Sequence, residues 1–208
     1  MHARRIKTSG SPDQVERARE VIEGTVIPGA RAVPGFEGGY WLIDRASGQG
    51  VSVIFYDTEE NLRAGSERAG ELRTSATQQI GATVQGVDEF AVILDTGQKV
   101  HTGATHARYA EFAPGPGRAE EITRNLEENV LPNARRLPGF VGGLWAVDVA
   151  KGEGFGLTLF DSADSLAASR DVVRAVAQRS QEIMGGEAPA FTEYEILTRA
   201  ETPSHAGV

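Results

Sequence analysis

Two histidines, His2 and His106, each stand two residues ahead of an arginine, Arg4 and Arg108. On a regular strand, residues i and i+2 leave the same face, so each pair would set an imidazole beside a guanidinium. The imidazole titrates near neutrality and can move a proton, while the guanidinium can hold an enolate or phenolate oxygen. Tyr109 follows Arg108 directly, and with His2, Arg4, His106 and Arg108 it completes the candidate catalytic set. The only tryptophans, Trp41 and Trp145, are with Tyr194 the candidate ligand-binding residues, because a flat indole can wall a cavity for an aromatic molecule. The competing reading makes the histidines and arginines strand-end groups paired with acids, and the tryptophans plain sheet core.

Other chemistry is excluded by composition. There is no cysteine, which removes disulfides, thiolate catalysis and thiolate metal sites, and His2 and His106 alone fall short of the three or four ligands of a metal centre. No metal and no cofactor are expected. A net charge of −8 and a pI near 5.1 argue against nucleic acid or an anionic membrane as partner. The aliphatic runs are far short of the roughly 20 residues a membrane helix needs, and "MHARRIKTSG" lacks the apolar core of a signal peptide. A soluble, cytoplasmic globular protein is expected, its partner a small hydrophobic or aromatic molecule.

Sliding the chain against itself by 104 positions aligns two halves without a gap. "PGFEGGYWLID" (34–44) falls on "PGFVGGLWAVD" (138–148), and between Val26 and Leu62 there are 16 identities in 37 positions. This is an internal duplication with a period too long for a solenoid. The copies also differ: Arg5 becomes Tyr109, Ser52 becomes Gly156 and Phe90 becomes Tyr194, so a site kept by one half would be the second.

Each copy reads as the same series of elements. "HARRIKTS" is an extended segment, and Ser11-Pro12-Asp13-Gln14 predicts a helix start with serine as N-cap and glutamine placed for a capping box. Val15, Ala18, Ile22 and Val26 give that helix one apolar face, as Ala119, Ile122, Leu126 and Val130 do in the second copy. Pro28 and Pro132 should kink or restart it. A hairpin over 37–44 and 50–56 follows, with paired glycines (38–39, 142–143) that imply a bulge or a close approach of a helix or ligand. A second helix is capped by Asp57 or Asp161, and a last strand spans about 89–94 and 193–198.

The order is βαββαβ, the ferredoxin-like unit. Both faces of its hairpin are apolar, so both faces of the sheet require cover. The predicted fold is α+β: two tandem ferredoxin-like units packing sheet to sheet across a pseudo-two-fold axis, a pseudo-dimer within one chain to which a further homodimer could be added. Residues 1–97 form the first unit, 98–104 a linker, 105–200 the second unit and 201–208 a flexible tail.

The "HAR" strand, "VIPGARAVPGF" and "VLPNARRLPGF", the GG-x-W-x-x-D strand, and "FYDTEENLRAG" with "FDSADSLAAS" resemble the dimeric α/β barrel superfamily, specifically the antibiotic biosynthesis monooxygenase-like group. The resemblance covers both copies. It implies an intramolecular dimeric α/β barrel with a ligand cavity between sheet and helices in each half. The activity it implies is that of a cofactor-independent monooxygenase acting on an aromatic or polyketide-like substrate, in a pocket lined by a tryptophan, an asparagine and polar partners. It also admits a non-catalytic ligand-binding or stress-associated protein. The haem-degrading branch fits less well, since neither opening strand carries an asparagine and neither second helix a histidine.

Overall fold

The computed structural model describes residues 1–96, 100–185 and 187–201. Most of the tail and residues 98–99 of the expected linker lie outside the described residues. Eight antiparallel strands and the helices between them form two βαββαβ units in tandem: β1 (His2–Ser9), β2 (Phe36–Asp44), β3 (Gln49–Tyr56) and β4 (Thr83–Asp95), then β5 (His106–Phe112), β6 (Phe140–Asp148), β7 (Glu153–Phe160) and β8 (Ala190–Glu201). In hydrogen-bonded order, β1, β3 and β2 lie side by side in the first repeat, and β8, β5, β7, β6 and β4 lie side by side around the second. β4 begins several residues earlier than the apolar pattern of 89–94 announces, and β8 extends beyond 193–198 at both ends.

Two compact units divide the chain, and the division cuts the long strands: Met1–Glu89 with the segment from Leu197 onward, and Phe90–Ile196. In the first, β3 lies between β1 and β2, with Arg4 opposite Ile54 and Trp41 opposite Ser52. In the second, β7 lies between β5 and β6, and β5 also pairs with β8, so that Arg108 stands opposite both Thr158 and Glu193. Each glycine pair carries the predicted bulge, a register shift between Phe36 and Gly38 and between Phe140 and Gly142. Val100, His101 and Ala104, in the stretch expected to be a polar connection, are buried.

The first long helical segment of each unit is α, then π, then α: α1 (Val15–Val21), a π turn (Ile22–Val26) and α2 (Ile27–Arg31), repeated as α5 (Ala119–Asn125), a π turn (Leu126–Val130) and α6 (Leu131–Ala134). Pro28 and Pro132 follow the π turns, which supply the widened hydrogen-bonding that a proline without an N–H requires, and the helix continues instead of restarting. Ser11 makes no capping bond; its hydroxyl meets the Asp13 carboxylate instead, and a short 3₁₀ turn (Pro12–Gln14) leads into α1.

The second helical segment is α3 (Glu59–Ala64) and α4 (Ser66–Ile80), repeated as α7 (Ala163–Ala168) and α8 (Arg170–Met184). Its caps are Thr58 and Ser162, whose hydroxyls accept the N–H of Asn61 and Ser165 at 3.1 and 3.2 Å. Asp57 and Asp161, one residue earlier than a cap should stand, receive other bonds: Asp57 takes the Thr58 N–H at 2.6 Å and the Asn61 amide at 2.9 Å.

Candidate functional site

Arg108 is the pivot of the second unit. Placed mid-strand on β5, it is 3% exposed, and its guanidinium donates to Ser169 Oγ (2.5 Å), the Leu166 carbonyl (2.8 Å) and Glu193 Oε1 (2.8 Å). It also lies 5.7 Å from the Phe160 ring centroid. Glu193 is held a second time by Arg170, through Nε at 2.9 Å and a terminal nitrogen at 2.6 Å. These bonds, the Arg170 pair above all, hold the Glu193 carboxyl at about 2, well below its usual range. Arg4 repeats the arrangement in the first unit with Leu62 O, Ser66 Oγ and Glu89, at 2.7, 2.6 and 2.8 Å. A buried guanidinium with this many bonds is an organised structural anchor.

Between the sheet and the helices of the second unit lies a cavity of about 110 Å³. Arg108, Ala110 and Phe112 reach it from one face of β5, Thr158 from β7 and Trp145 from β6. Across from them, α5, α6 and α8 contribute mainly aliphatic groups, interrupted by Asn125, Asn133 and Ser180. These polar groups form a ladder: Asn125 Nδ2 donates to Ser180 Oγ at 3.0 Å, Asn129 Nδ2 donates to the same hydroxyl at 3.1 Å, and Asn133 Nδ2 donates to the Asn129 carbonyl at 2.7 Å. Val172 and Phe191 line the cavity while 42% and 39% exposed, which puts them at its mouth. The volume admits more than a few water molecules, and the mixture of apolar wall, amides and hydroxyls suits a flat molecule bearing oxygen atoms.

Trp145 owes its position to two glycines. A Cβ on Gly143 would lie 2.9 Å from the far edge of the indole, and one on Gly156 would lie 2.5 Å from Cδ1 and Nε1. The ring therefore lies flat on two bare stretches of backbone. The close approach implied by the paired glycines is made by this indole, and beside it His101 packs so tightly on Gly142 that no side chain fits there.

The sequence-predicted residues divide by strand parity. Arg108 and Trp145 meet at the cavity. Tyr109, one residue on, points to the other face of the sheet, where it stacks on Phe155 at 5.6 Å and meets Tyr194 edge-on at 6.3 Å. His106 sits at the start of β5, outside the cavity lining, with Nδ1 2.9 Å from Thr105 Oγ1. In the first unit His2 begins β1 half-buried, Arg4 is bound as described, and Trp41 is enclosed by Ile6, Ile27, Phe36 and Ile54. The asparagines and Thr158 were not singled out by sequence reasoning, although asparagine recurring at every fourth residue of one copy alone is a readable signal.

Among the described residues no three His, Asp or Glu side chains gather to hold a metal ion, and none lining the cavity is a histidine that could ligate haem iron. No described helix is long and apolar enough to cross a membrane.

The fold is that of the dimeric α/β barrel proteins, here as two ferredoxin-like units in tandem in one chain. Solved structures similar to it include an anthrone oxidase-like protein (TM-score 0.67, 16% identity, 100% of this chain and 97% of that one). Another is a ferredoxin-fold protein of Listeria monocytogenes related to antibiotic biosynthesis monooxygenases (TM-score 0.51, 8% identity, 93% and 94% covered). In sequence, the chain is 26% identical over 201 residues to the uncharacterised protein Rv2558 of Mycobacterium tuberculosis, covering 94% of this chain and 83% of that protein. It is 24% identical over 200 residues to Rv2557 of the same organism, with 94% and 87% covered. No family model matches the sequence.

Proposed function

We propose that this chain binds a flat aromatic or polyketide-like molecule in the second-unit cavity and acts on it as a cofactor-independent monooxygenase. The observation that carries the reading is the meeting of Arg108, Trp145, Thr158 and the asparagine ladder around one cavity. Likeness to the anthrone oxidase-like structure supports it through the fold. In the reaction proposed, an acidic ring CH₂ loses a proton and its carbanion is oxidised by O₂. The methylene becomes a carbonyl with one oxygen atom, and the other leaves as water with the two hydrogens. Trp145 and the aliphatic wall orient the rings and exclude water, the amide and hydroxyl groups bind the ring oxygens, and the Arg108 cation stabilises the anion formed.

A second reading, a binding protein without turnover, is favoured by one feature of the lining. Apart from Arg108, the only ionisable group among its described residues is Glu187, which is exposed, so no enclosed base faces the substrate. Oxygen uptake with 1,8-dihydroxyanthrone decides between them. Catalysis above the background autoxidation, abolished by Thr158→Ile, supports the enzyme. Saturable binding with uptake equal to background supports the binder, and no binding overturns both.

A further inference from the structure

The two halves share four anchoring residues and differ at many positions around the cavity. Arg108, Glu193, Trp145 and Leu166 of the second unit correspond to Arg4, Glu89, Trp41 and Leu62 of the first. At four positions around them the first unit carries a bulkier side chain than the second. Ile6, Ile54, Leu72 and Arg73 stand where the second unit has Ala110, Thr158, Val176 and Ala177, all four lining the cavity. Ile6 and Ile54 pack with Trp41 into one closed cluster with Ile27, Val33 and Phe36. Leu72 reaches so close to Gly29 that no Cβ would fit there, and Gly29 is the position at which the second unit carries Asn133. Other exchanges run the other way, among them Ala18 to Ile122, Gly29 to Asn133, Val33 to Leu137, Ala69 to Val173 and Thr8 to Phe112, yet the second-unit space stays open, with the Phe112 ring lying against Gly154.

The polar ladder is confined to the same half. Asn125, Asn129, Asn133 and Ser180 correspond to Val21, Thr25, Gly29 and Ala76. Amides in an interior are unfavourable unless bonded, so a set of them beside a cavity is consistent with a ligand that presents oxygen atoms there.

We infer that the duplicated chain is an asymmetric one-site protein: it takes one oxygenated aromatic ligand per chain, in the second unit, and the equivalent position of the first unit is closed by Ile6, Ile54, Leu72 and Arg73. This rests on the proposed location of the binding site and adds its stoichiometry and the residues that decide it.

The test pairs mirror-image substitutions with calorimetric titration of the full chain using 1,8-dihydroxyanthraquinone as probe. The expected result is one equivalent bound per chain. Ala110→Ile, which installs the residue of the first unit, lowers affinity tenfold or more. Ile6→Ala leaves affinity within twofold. Thermal melting supplies a readout independent of any ligand: Ala110→Ile fills existing space and melts within a few degrees of the parent, whereas Ile6→Ala opens packed core and melts roughly 5–15 °C lower. Should Ile6→Ala fail to fold, Ile54→Val is the milder substitute. Two equivalents per chain, or equal sensitivity of probe binding to the two substitutions, overturns the inference while leaving the binding function intact. Failure of every probe to bind the parent chain overturns the binding function and this inference with it.

Discussion

Arg108 and Glu193 stand directly opposite one another on β5 and β8 and close a 2.8 Å ion pair, the counterpart of Arg4 and Glu89, also at 2.8 Å. The carboxylate is the exposed partner and the guanidinium the buried one, 30% and 4% accessible in their side chains. The pair therefore fixes the cation at the cavity while solvent reaches only the acid.

That geometry gives stability a definite acid dependence. Glu193 has a folded-state pKa of about 2 against an ordinary 4.5, so its contribution is fully present above about pH 4.5 and is lost as the pH falls toward 2. The contribution is on the order of 2–3 kcal/mol. Glu193→Gln should melt lower than the parent at neutral pH and show a flatter dependence of melting temperature between pH 5 and 2. Parallel curves for the two proteins in that window would contradict this.

The tryptophans should not be equivalent. Both are 4% exposed, but Trp41 is enclosed by core and Trp145 faces the cavity. Replacing a packed tryptophan by alanine removes about 3–5 kcal/mol, and a site already beside empty space loses fewer contacts. Urea denaturation is expected to rank Trp41→Ala as the more destabilised by about 1–2 kcal/mol, while only Trp145→Ala weakens probe binding.

Gly156 is a sharper probe of the same wall. The first copy has Ser52 at this position, yet a Cβ on Gly156 would press on the indole at 2.5 Å. Gly156→Ser should displace Trp145, alter near-ultraviolet circular dichroism and reduce stability by about 1–3 kcal/mol. An unchanged aromatic spectrum would show that the ring is not held by this contact.

At α7 the cap is a serine and not the preceding aspartate. Ser162→Ala removes the acceptor of the Ser165 N–H and should cost about 1 kcal/mol by thermal melting. Thr58→Ala should cost a similar amount at α3.

Much of the architecture was legible because the chain states it twice. The repeated Pro-Gly-Phe, the glycine pairs and the alternating hairpins located the same elements in each copy, and β1 was expected over the residues it occupies. The ends of β4 and β8 were not legible, since "TVQGVDE" and "TRAE" lack the apolar alternation that marks a half-buried strand. The π turns were hidden because Ile22, Val26 and Ile27 satisfy an α-helical pattern equally well. Arg108 and Trp145, singled out by residue type, both line the cavity, whereas Tyr109 lies on the other face of the sheet, as the residue next to an arginine on a strand must. A cavity between sheet and helices was implied by the resemblance for each half; its form in the second unit depends on positions that changed between the copies, Ile6 to Ala110 and Ile54 to Thr158 foremost.

The covalent joining of the copies bears on how such a site can arise. In an assembly of two identical subunits a codon change enters both pockets together, so any alteration that loosens the core is suffered twice and any gain in binding is duplicated with it. Here Ile6 and Ala110 are encoded separately. One half is free to keep the packing that sustains the fold while the other is reshaped around a guest, a division of labour that a symmetric pair encoded by a single gene cannot reach.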